Sequence, residues 1–262
     1  MEKGRTVLLS FDLEEFDMPL EYGRQIPLSE QLAASDHGMD ALLPILDKYA
    51  VPATFYTTAN YAQHRRQEVK ALAERHEIAS HTFYHTEYCT AHLAQSRNLL
   101  QEISGQEIRG LRMPRMRPVD MADVAAAGYA YDSSINPTWL PGRYNNRHLP
   151  RTFYWEKGML RLPASVSPGL RVPLFWLLFK NIPLQAYLAL CRQTLKKDGY
   201  LNLYFHPWEF TQLKKYGMPG YTWRTDGKAL TLRLGDLIGA LQGEAIFEHT
   251  GSFLLPEKIA GI

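Results

Sequence analysis

The chain begins with an apolar run, "TVLLSFDL", that ends in polar groups, which is the pattern of a short buried strand. A loop containing Gly23 and Pro27 follows. In "SDHGMDALLPILDKYA", Met39, Leu42, Leu43 and Leu46 share one helical stripe, and Ser35 or Asp36 can cap it. Pro44 lies inside the stripe, so the pattern predicts a later start or a kink. "VPATFYTT" predicts a second strand, "YAQHRRQEVKALAERH" a second helix and "EIASH" a third strand. "AHLAQSRNLLQEISG" predicts a helix stopped by Gly105. "IRGLRMP" then reads as a strand, "PVDMADVAAAG" as a helix ending at Gly128, and "YAYDSS" as a fifth strand. Strand and helix alternate every about 25–35 residues, as parallel βα units do.

The second half is less regular. "NPTWLPGRYNNRHLPRTFYWEKG" (136–158) reads as one long loop, a length that usually serves binding. "LRLPAS" is a candidate strand, "PLQAYLALCRQTLKKDG" a helix, "YLNLYFHP" a buried strand, "LTLRLGDLIGALQG" a helix and "AIFEHTGSFL" a last strand. No repeat or low-complexity linker divides the chain, so the expectation is one α/β domain over residues 1–262.

Composition adds mainly exclusions. With 45% hydrophobic and 21% charged residues, the 262-residue chain is ordinary for a globular protein. Its net charge of +2 argues neither for nucleic acid nor for an acidic partner, and no nucleic-acid partner is expected. Cys89 and Cys191 form no Cys-x-x-Cys pattern, which excludes a cysteine metal site and a disulfide scaffold. The first residues contain no apolar stretch of signal-peptide length, so the chain is expected to be cytoplasmic. Lys180, Asn181 and Pro183 interrupt the apolar region "VPLFWLLFKNIPLQAYLALC", which predicts a buried helix pair and no transmembrane segment.

The candidate chemistry collects where strands end, the place where parallel α/β folds build sites. "SFDLEE" supplies Asp12, Glu14 and Glu15. In "SHTFYH", His81 and His85 stand four apart, a spacing that on a helical turn puts both imidazoles on one face. With one carboxylate from "DLEE" they would form a two-histidine, one-acid metal site. Two unrelated surface histidines are the plainer reading. His206 leaves a strand tip before Pro207 and is either a general acid or a structural histidine. Arg112 could hold a catalytic carboxylate ionised. Arg115 and Arg117 read as solvated, or as groove residues for an anionic substrate. Asp132 could pair with Arg112 or cap a turn. Trp139, Tyr144, Trp155 and Trp208 are candidate sugar-stacking platforms or packing residues.

Taken together, "SFDLEE", "HTFYH", "RMPR" and "YFHPWE" resemble the ordered motifs of the NodB-homology polysaccharide deacetylases, the fourth carbohydrate esterase family. "GYAYDSS" and "HPWEF" resemble its exopolysaccharide-associated branch, and the likeness runs from about Leu8 to Phe210. The resemblance implies a distorted (β/α) barrel of about seven parallel strands and a metal-dependent N-deacetylase of an amino-sugar polymer or glycan precursor. It implies Asp12 as base, His206 as acid and Arg112 as the residue holding the base. Glu14, His81 and His85 would hold a divalent metal, zinc in the first place, and Arg115, Asp132 and Trp208 would meet substrate. Two features depart from the family pattern. Glu14 stands where an Asp is usual, which leaves Glu15 as a rival ligand, with Glu15 otherwise expected to be solvated. Arg115 replaces a tyrosine whose backbone helps bind the oxyanion. On the same fold the resemblance also allows a hydrolase of small cyclic amides, or an inactive glycan-binding relative.

Overall fold

The computed structural model of the protein describes residues 4–254. Its first strand, β1 (Thr6–Leu13), is buried along its whole length, as expected of a strand covered on both faces. β2 (Thr54–Thr57), β3 (Glu77–Ser80), β4 (Gly110–Leu111) and β5 (Tyr131–Asp132) follow it in the sheet. Two short hairpins come next: β6 (Trp139–Leu140) with β7 (Tyr144–Asn145), and β8 (Tyr154–Glu156) with β9 (Met159–Arg161). β10 (Tyr200–Phe205) and β11 (Ile246–Glu248) complete the set. The sheet order is β10-β1-β2-β3-β4-β5-β9-β8, parallel from β10 to β9, with β11 parallel to the start of β1.

The sheet curls until its ends approach each other. The Ser165 N–H donates to the Asn202 carbonyl (3.0 Å), and Asn202 Nδ2 donates to Ser133 Oγ and to the Pro163 carbonyl, both at 3.1 Å. The alternating pattern predicts the parallel βα units, and their closure is the distorted parallel barrel that the family resemblance implies. Strand parity divides each strand between two environments. Leu8, Ser10 and Asp12 of β1 face the barrel interior, as do Tyr200, Asn202 and Tyr204 of β10. Val7, Leu9, Phe11 and Leu13, with Leu201, Leu203 and Phe205, face the helices.

The helical layer comprises α1 (Leu28–Tyr49), α2 (Ala59–His64), α3 (Arg66–Leu72), α4 (Ala91–Ser104) and α5 (Met121–Ala126). After the hairpins come α6 (Trp176–Asn181), α7 (Leu184–Asp198), α8 (Gly220–Trp223), α9 (Gly227–Gln242) and α10 (Thr250–Leu254). Several boundaries differ from the sequence reading. α1 starts before Ser35 and runs through Pro44, because its buried stripe from Leu32 to Leu46 outweighs one lost backbone bond. The helix expected from Tyr61 onward breaks at Arg65, whose guanidinium grips Asp36 at 2.7–3.0 Å. The expected long loop contains β6, β7 and β8, too short for a periodicity to show. The last expected strand is β11 followed by α10. No helix among the described residues is long and apolar enough to cross a membrane.

Gly38 lets α1 touch the segment after β10, since a Cβ there would sit 1.9 Å from the Pro207 carbonyl oxygen. Gly38→Ala is expected to cost roughly 1–3 kcal/mol and to displace the His206 segment, measurable by chemical denaturation and by the His206 resonances. A second expectation concerns pH. His76 Nδ1 accepts from the Ala53 N–H (3.3 Å), which requires neutral imidazole, and burial pushes the His76 pKa down to about 4. The unfolded chain binds this proton near its ordinary value of about 6.5. His76 therefore contributes fully above that pH, and its contribution fades as pH falls toward about 4. The denaturation midpoint should drop across this window, and more shallowly in His76→Gln.

Candidate active site

At the carboxyl ends of the strands lies a cavity of about 170 Å³. Asp12, Glu14, His81, His85, Arg115, His206 and Trp208 all line it. The topology gathers these residues from the ends of β1, β3 and β10 and from the turn after β4.

Arg112 lies in the barrel interior, wholly buried. Its Nη1 reaches Asp12 Oδ1 (2.6 Å) and Ser10 Oγ (3.0 Å), while Nε and Nη2 donate to the Ser133 carbonyl and hydroxyl at 3.3 and 3.1 Å. The guanidinium also stacks on Tyr56, 3.9 Å from the ring centre. This network fixes the direction of the Asp12 carboxylate. Its other oxygen, Oδ2, stands 3.8 Å from His206 Nε2.

Glu14 Oε2 lies 3.0 Å from His81 Nε2 and 3.1 Å from His85 Nε2, and all three residues are buried. Glu14 Oε1 accepts from Trp208 Nε1 (3.0 Å). No helix produces the pairing of the histidines. Residues 81–85 form a turn in which Thr82 adopts φ 62, a left-handed conformation unusual for a β-branched residue. Four contacts hold it there. The Thr82 N–H donates to Ser80 Oγ (3.1 Å) and its hydroxyl to the Tyr84 carbonyl (3.0 Å), while its carbonyl accepts from Ser96 Oγ (2.9 Å) and the Ala59 N–H (3.0 Å). The two imidazoles end up stacked, with centroids 5.6 Å apart.

The electrostatics favour charge at this group. Burial alone would raise the Glu14 pKa, but the neighbouring His85 and His81 hold it well below the usual carboxylate range. Burial likewise works against charge on His85, yet Glu14 and Asp17 raise it to about 9. Glu14 Oε2 is buried and has no hydrogen-bond donor, although two imidazole nitrogens converge on it. An orphaned carboxylate oxygen facing two histidine nitrogens is a donor set that suits a divalent cation such as zinc.

Other residues fall elsewhere than expected. Glu15 is buried, not solvated. Its carboxylate accepts from Thr58 Oγ1 (2.6 Å) and Asn60 Nδ2 at the start of α2, away from the histidines. Asp132 does not line the cavity and does not meet Arg112. It closes a turn by accepting from the Ser134 N–H (3.0 Å) and hydroxyl, and it pairs with Arg161 (2.9 Å). Trp208 stacks on His206 (4.7 Å) and is bonded to Glu14, which makes it a buried orienting group and not an open sugar platform. Trp139 and Trp155 are exposed, and Tyr144 lines the cavity. Arg115 takes φ 56 and binds Glu21 (2.5 Å) and Asp17 (3.0 Å).

Three residues escaped the sequence reading. Asp17 Oδ2 lies 2.7 Å from His85 Nδ1 and continues the acidic run of the first motif. Glu209 Oε1 lies 3.0 Å from His206 Nδ1 and accepts from the His206 N–H (2.8 Å), a capping-box relation visible in the "HPWE" spacing. Lys180 stands wholly buried against Glu209 (3.3 Å), and the only sequence signal for it was a charge inside an apolar run.

Comparison with known proteins bears on the family and the fold. Residues 2–131 match the family model described as polysaccharide deacetylase. A chain from Mycobacterium smegmatis described as a polysaccharide deacetylase is 19% identical, with 99% of this chain and 92% of that chain covered and a TM-score of 0.65. The PuuE allantoinase gives 15% identity, coverages of 95% and 89%, and a TM-score of 0.65. A mutant Bacillus anthracis CE4 family pseudoenzyme with restored enzymatic activity gives 12% identity, coverages of 98% and 70%, and a TM-score of 0.54. At these identities the structural likeness shows a shared fold alone.

Calorimetric titration with Zn²⁺ separates the acids. Glu14→Gln and His81→Ala are expected to lose more than about 100-fold in affinity, and Asp17→Asn about 10- to 100-fold through loss of imidazole orientation. Glu15→Gln should bind zinc as the unaltered chain does, yet be less stable by about 1–3 kcal/mol.

Proposed function

Because the chain belongs to the polysaccharide deacetylase family, we propose that it is a metal-dependent hydrolase that removes N-acetyl groups from an amino-sugar polymer or glycan precursor. The observation that carries this reading is the meeting, in one cavity, of the Glu14–His81–His85 group with Asp12 and His206, 3.8 Å apart. A divalent ion held by Glu14, His81 and His85 would supply Lewis-acid polarisation and lower the pKa of water.

The rest falls to the chain's own side chains. Asp12, aimed by Arg112, takes the proton of the attacking water. His206 directs Nε2 toward Asp12 and the cavity, with Nδ1 toward Glu209, which suits a proton donor to the departing nitrogen. Burial disfavours charge on His206, but Glu209, Glu14 and Asp12 raise its pKa above the ordinary value and so favour the protonated, donating form. Arg115 is assigned the oxyanion contact through its backbone N–H, as the altered motif requires. Phe175, Trp176, Leu177 and Tyr221 form an apolar wall that excludes water from the reacting amide.

The extent of the cavity favours a glycan over a small cyclic amide. Glu21, Arg115, Met116, Arg143 and Tyr144 are shared with a neighbouring surface groove that continues to Arg117 and Asn146, so a chain could extend beyond the reacting sugar.

Incubating the Zn²⁺-loaded protein with N-acetylated oligosaccharides should release acetate. Asp12→Asn and His206→Ala should each lower kcat by roughly 10²- to 10⁴-fold. A metal-bound protein that releases no acetate from any N-acetyl glycan, or that instead opens a cyclic ureide such as allantoin, would overturn the proposal.

A further inference from the structure

His206 lies between two carboxylates, and each of them has a buried cation of its own. On one side is Asp12, bound to Arg112 at 2.6 Å. On the other is Glu209, whose Oε1 lies 3.0 Å from His206 Nδ1 and whose Oε2 lies 3.3 Å from Lys180 Nζ. The Lys180 and Glu209 side chains are both wholly buried. Lys180 Nζ makes no other polar contact among the described residues and rests 5.5 Å from the Trp176 ring centre. A lysine almost never occupies such a position without a defined partner. Its presence sets the charge count around the imidazole.

We infer that Lys180 is a positioning residue, which acts through Glu209 to leave the His206 proton free to depart. The inference rests on the reading of His206 as the acid of the proposed reaction. With Lys180 present, Glu209 and Lys180 form a neutral pair, as do Asp12 and Arg112, so His206 can be protonated or neutral without leaving a buried carboxylate uncompensated. Without Lys180, Glu209 would have His206 as its only cation, and deprotonating the imidazole would strand a charge in a dry site, a costly state. The acid would then keep its proton. In the reaction itself the amide C–N bond breaks, its electron pair stays on nitrogen, and the Nε2 proton moves to that nitrogen. The imidazole is left neutral, still carrying the Nδ1 proton directed at Glu209. The hydroxyl of water completes acetic acid, which gives its proton to solvent on release as acetate, and the other proton of the water goes to Asp12.

The charged and titratable groups facing His206 come from every element around it: Asp12 and Glu14 from the end of β1, Glu209 from its own turn, Lys180 from α6 and Tyr204 from β10. Burial lowers the Lys180 pKa while Glu209 opposes that fall, in keeping with a pair that holds its charge through mutual contact.

The test follows His206 by ¹⁵N NMR in the metal-loaded full chain, alongside the pH profile of acetate release. In Lys180→Met the His206 pKa is expected to rise by about 1 to 3. The alkaline limb of kcat should move the same way, with kcat at neutral pH falling about 10-fold or more and KM unchanged. The double variant Lys180→Met with Glu209→Gln removes both charges and should bring the imidazole back near its starting value. It also keeps the test open if the single variant fails to fold. Lys180→Arg should restore most of the activity lost in Lys180→Met. An unmoved His206 titration in Lys180→Met, or a double variant that titrates like the single one, overturns the inference. If the titration shifts as expected but no N-acetyl glycan is ever hydrolysed, the proposed reaction fails and the positioning role stands.

Discussion

The site depends on one buried ion pair. Arg112 has no solvent exposure, and a guanidinium in that position is tolerable only if its donors are used. Asp12, Ser10 and Ser133 use them, and Tyr56 covers one face. Ser10 and Asp12 come from β1, and Ser133 follows β5, so the pair ties the first strand to the far side of the barrel. The same Ser133 hydroxyl accepts from Asn202 of β10, near the seam where the sheet ends meet. Removing either partner would strand a charge at the centre of this network, at a cost of about 3–5 kcal/mol. The direction of the Asp12 carboxylate and the closure of the barrel are therefore consequences of the same contacts.

The parts of the fold legible in the sequence were those with a strong period. β1, β2, β3 and β10 are short runs whose apolar and β-branched residues announce them, and α4 and α9 carry clear stripes. β6, β7 and β8 were illegible because two or three residues cannot establish a period of two. Arg65 broke a helix for a tertiary reason, its grip on Asp36, and no local propensity encodes that.

In the site, strand-end position was the informative signal, and exact spacing was not. His81 and His85 converge because Thr82 is held in a left-handed conformation, so the four-residue interval led to the right pair through the wrong geometry. Of the two roles its sequence allowed, Asp132 takes the turn cap and does not meet Arg112. Its carboxylate is consumed by Ser134 and Arg161, and Arg161 belongs to a hairpin strand whose pairing the sequence did not reveal. Lys180 was legible only as a blemish in an apolar run. A lysine in such a run needs a buried acid somewhere, and the search for that acid leads to Glu209, three residues beyond His206.

The acidic run at the end of β1 shows why residue identity alone could not assign roles. Asp12, Glu14, Glu15 and Asp17 lie within six positions, and all four are buried. Left unpartnered together, they would repel and protonate. Each has its own set of partners: Asp12 meets Arg112, Glu14 the two histidines and Trp208, Glu15 Thr58 and Asn60, and Asp17 Arg115 and the far nitrogen of His85, the one residue shared between two of them. Asp12 holds the last interior-facing position of β1, while Glu14 and Glu15 lie beyond the strand's end, where the chain sends them to opposite partners. The longer reach of Glu14 then matters, because it lies past the last residue of β1 and must return toward the histidines to meet them. An aspartate at position 14 would be one methylene shorter and, with the backbone in place, would fall short of the two imidazoles. Ser35 holds that backbone, donating to the Glu14 carbonyl at 2.5 Å. The choice of Glu over Asp is thus a matter of distance from the end of the strand, and it also leaves Glu15 free to anchor the start of α2.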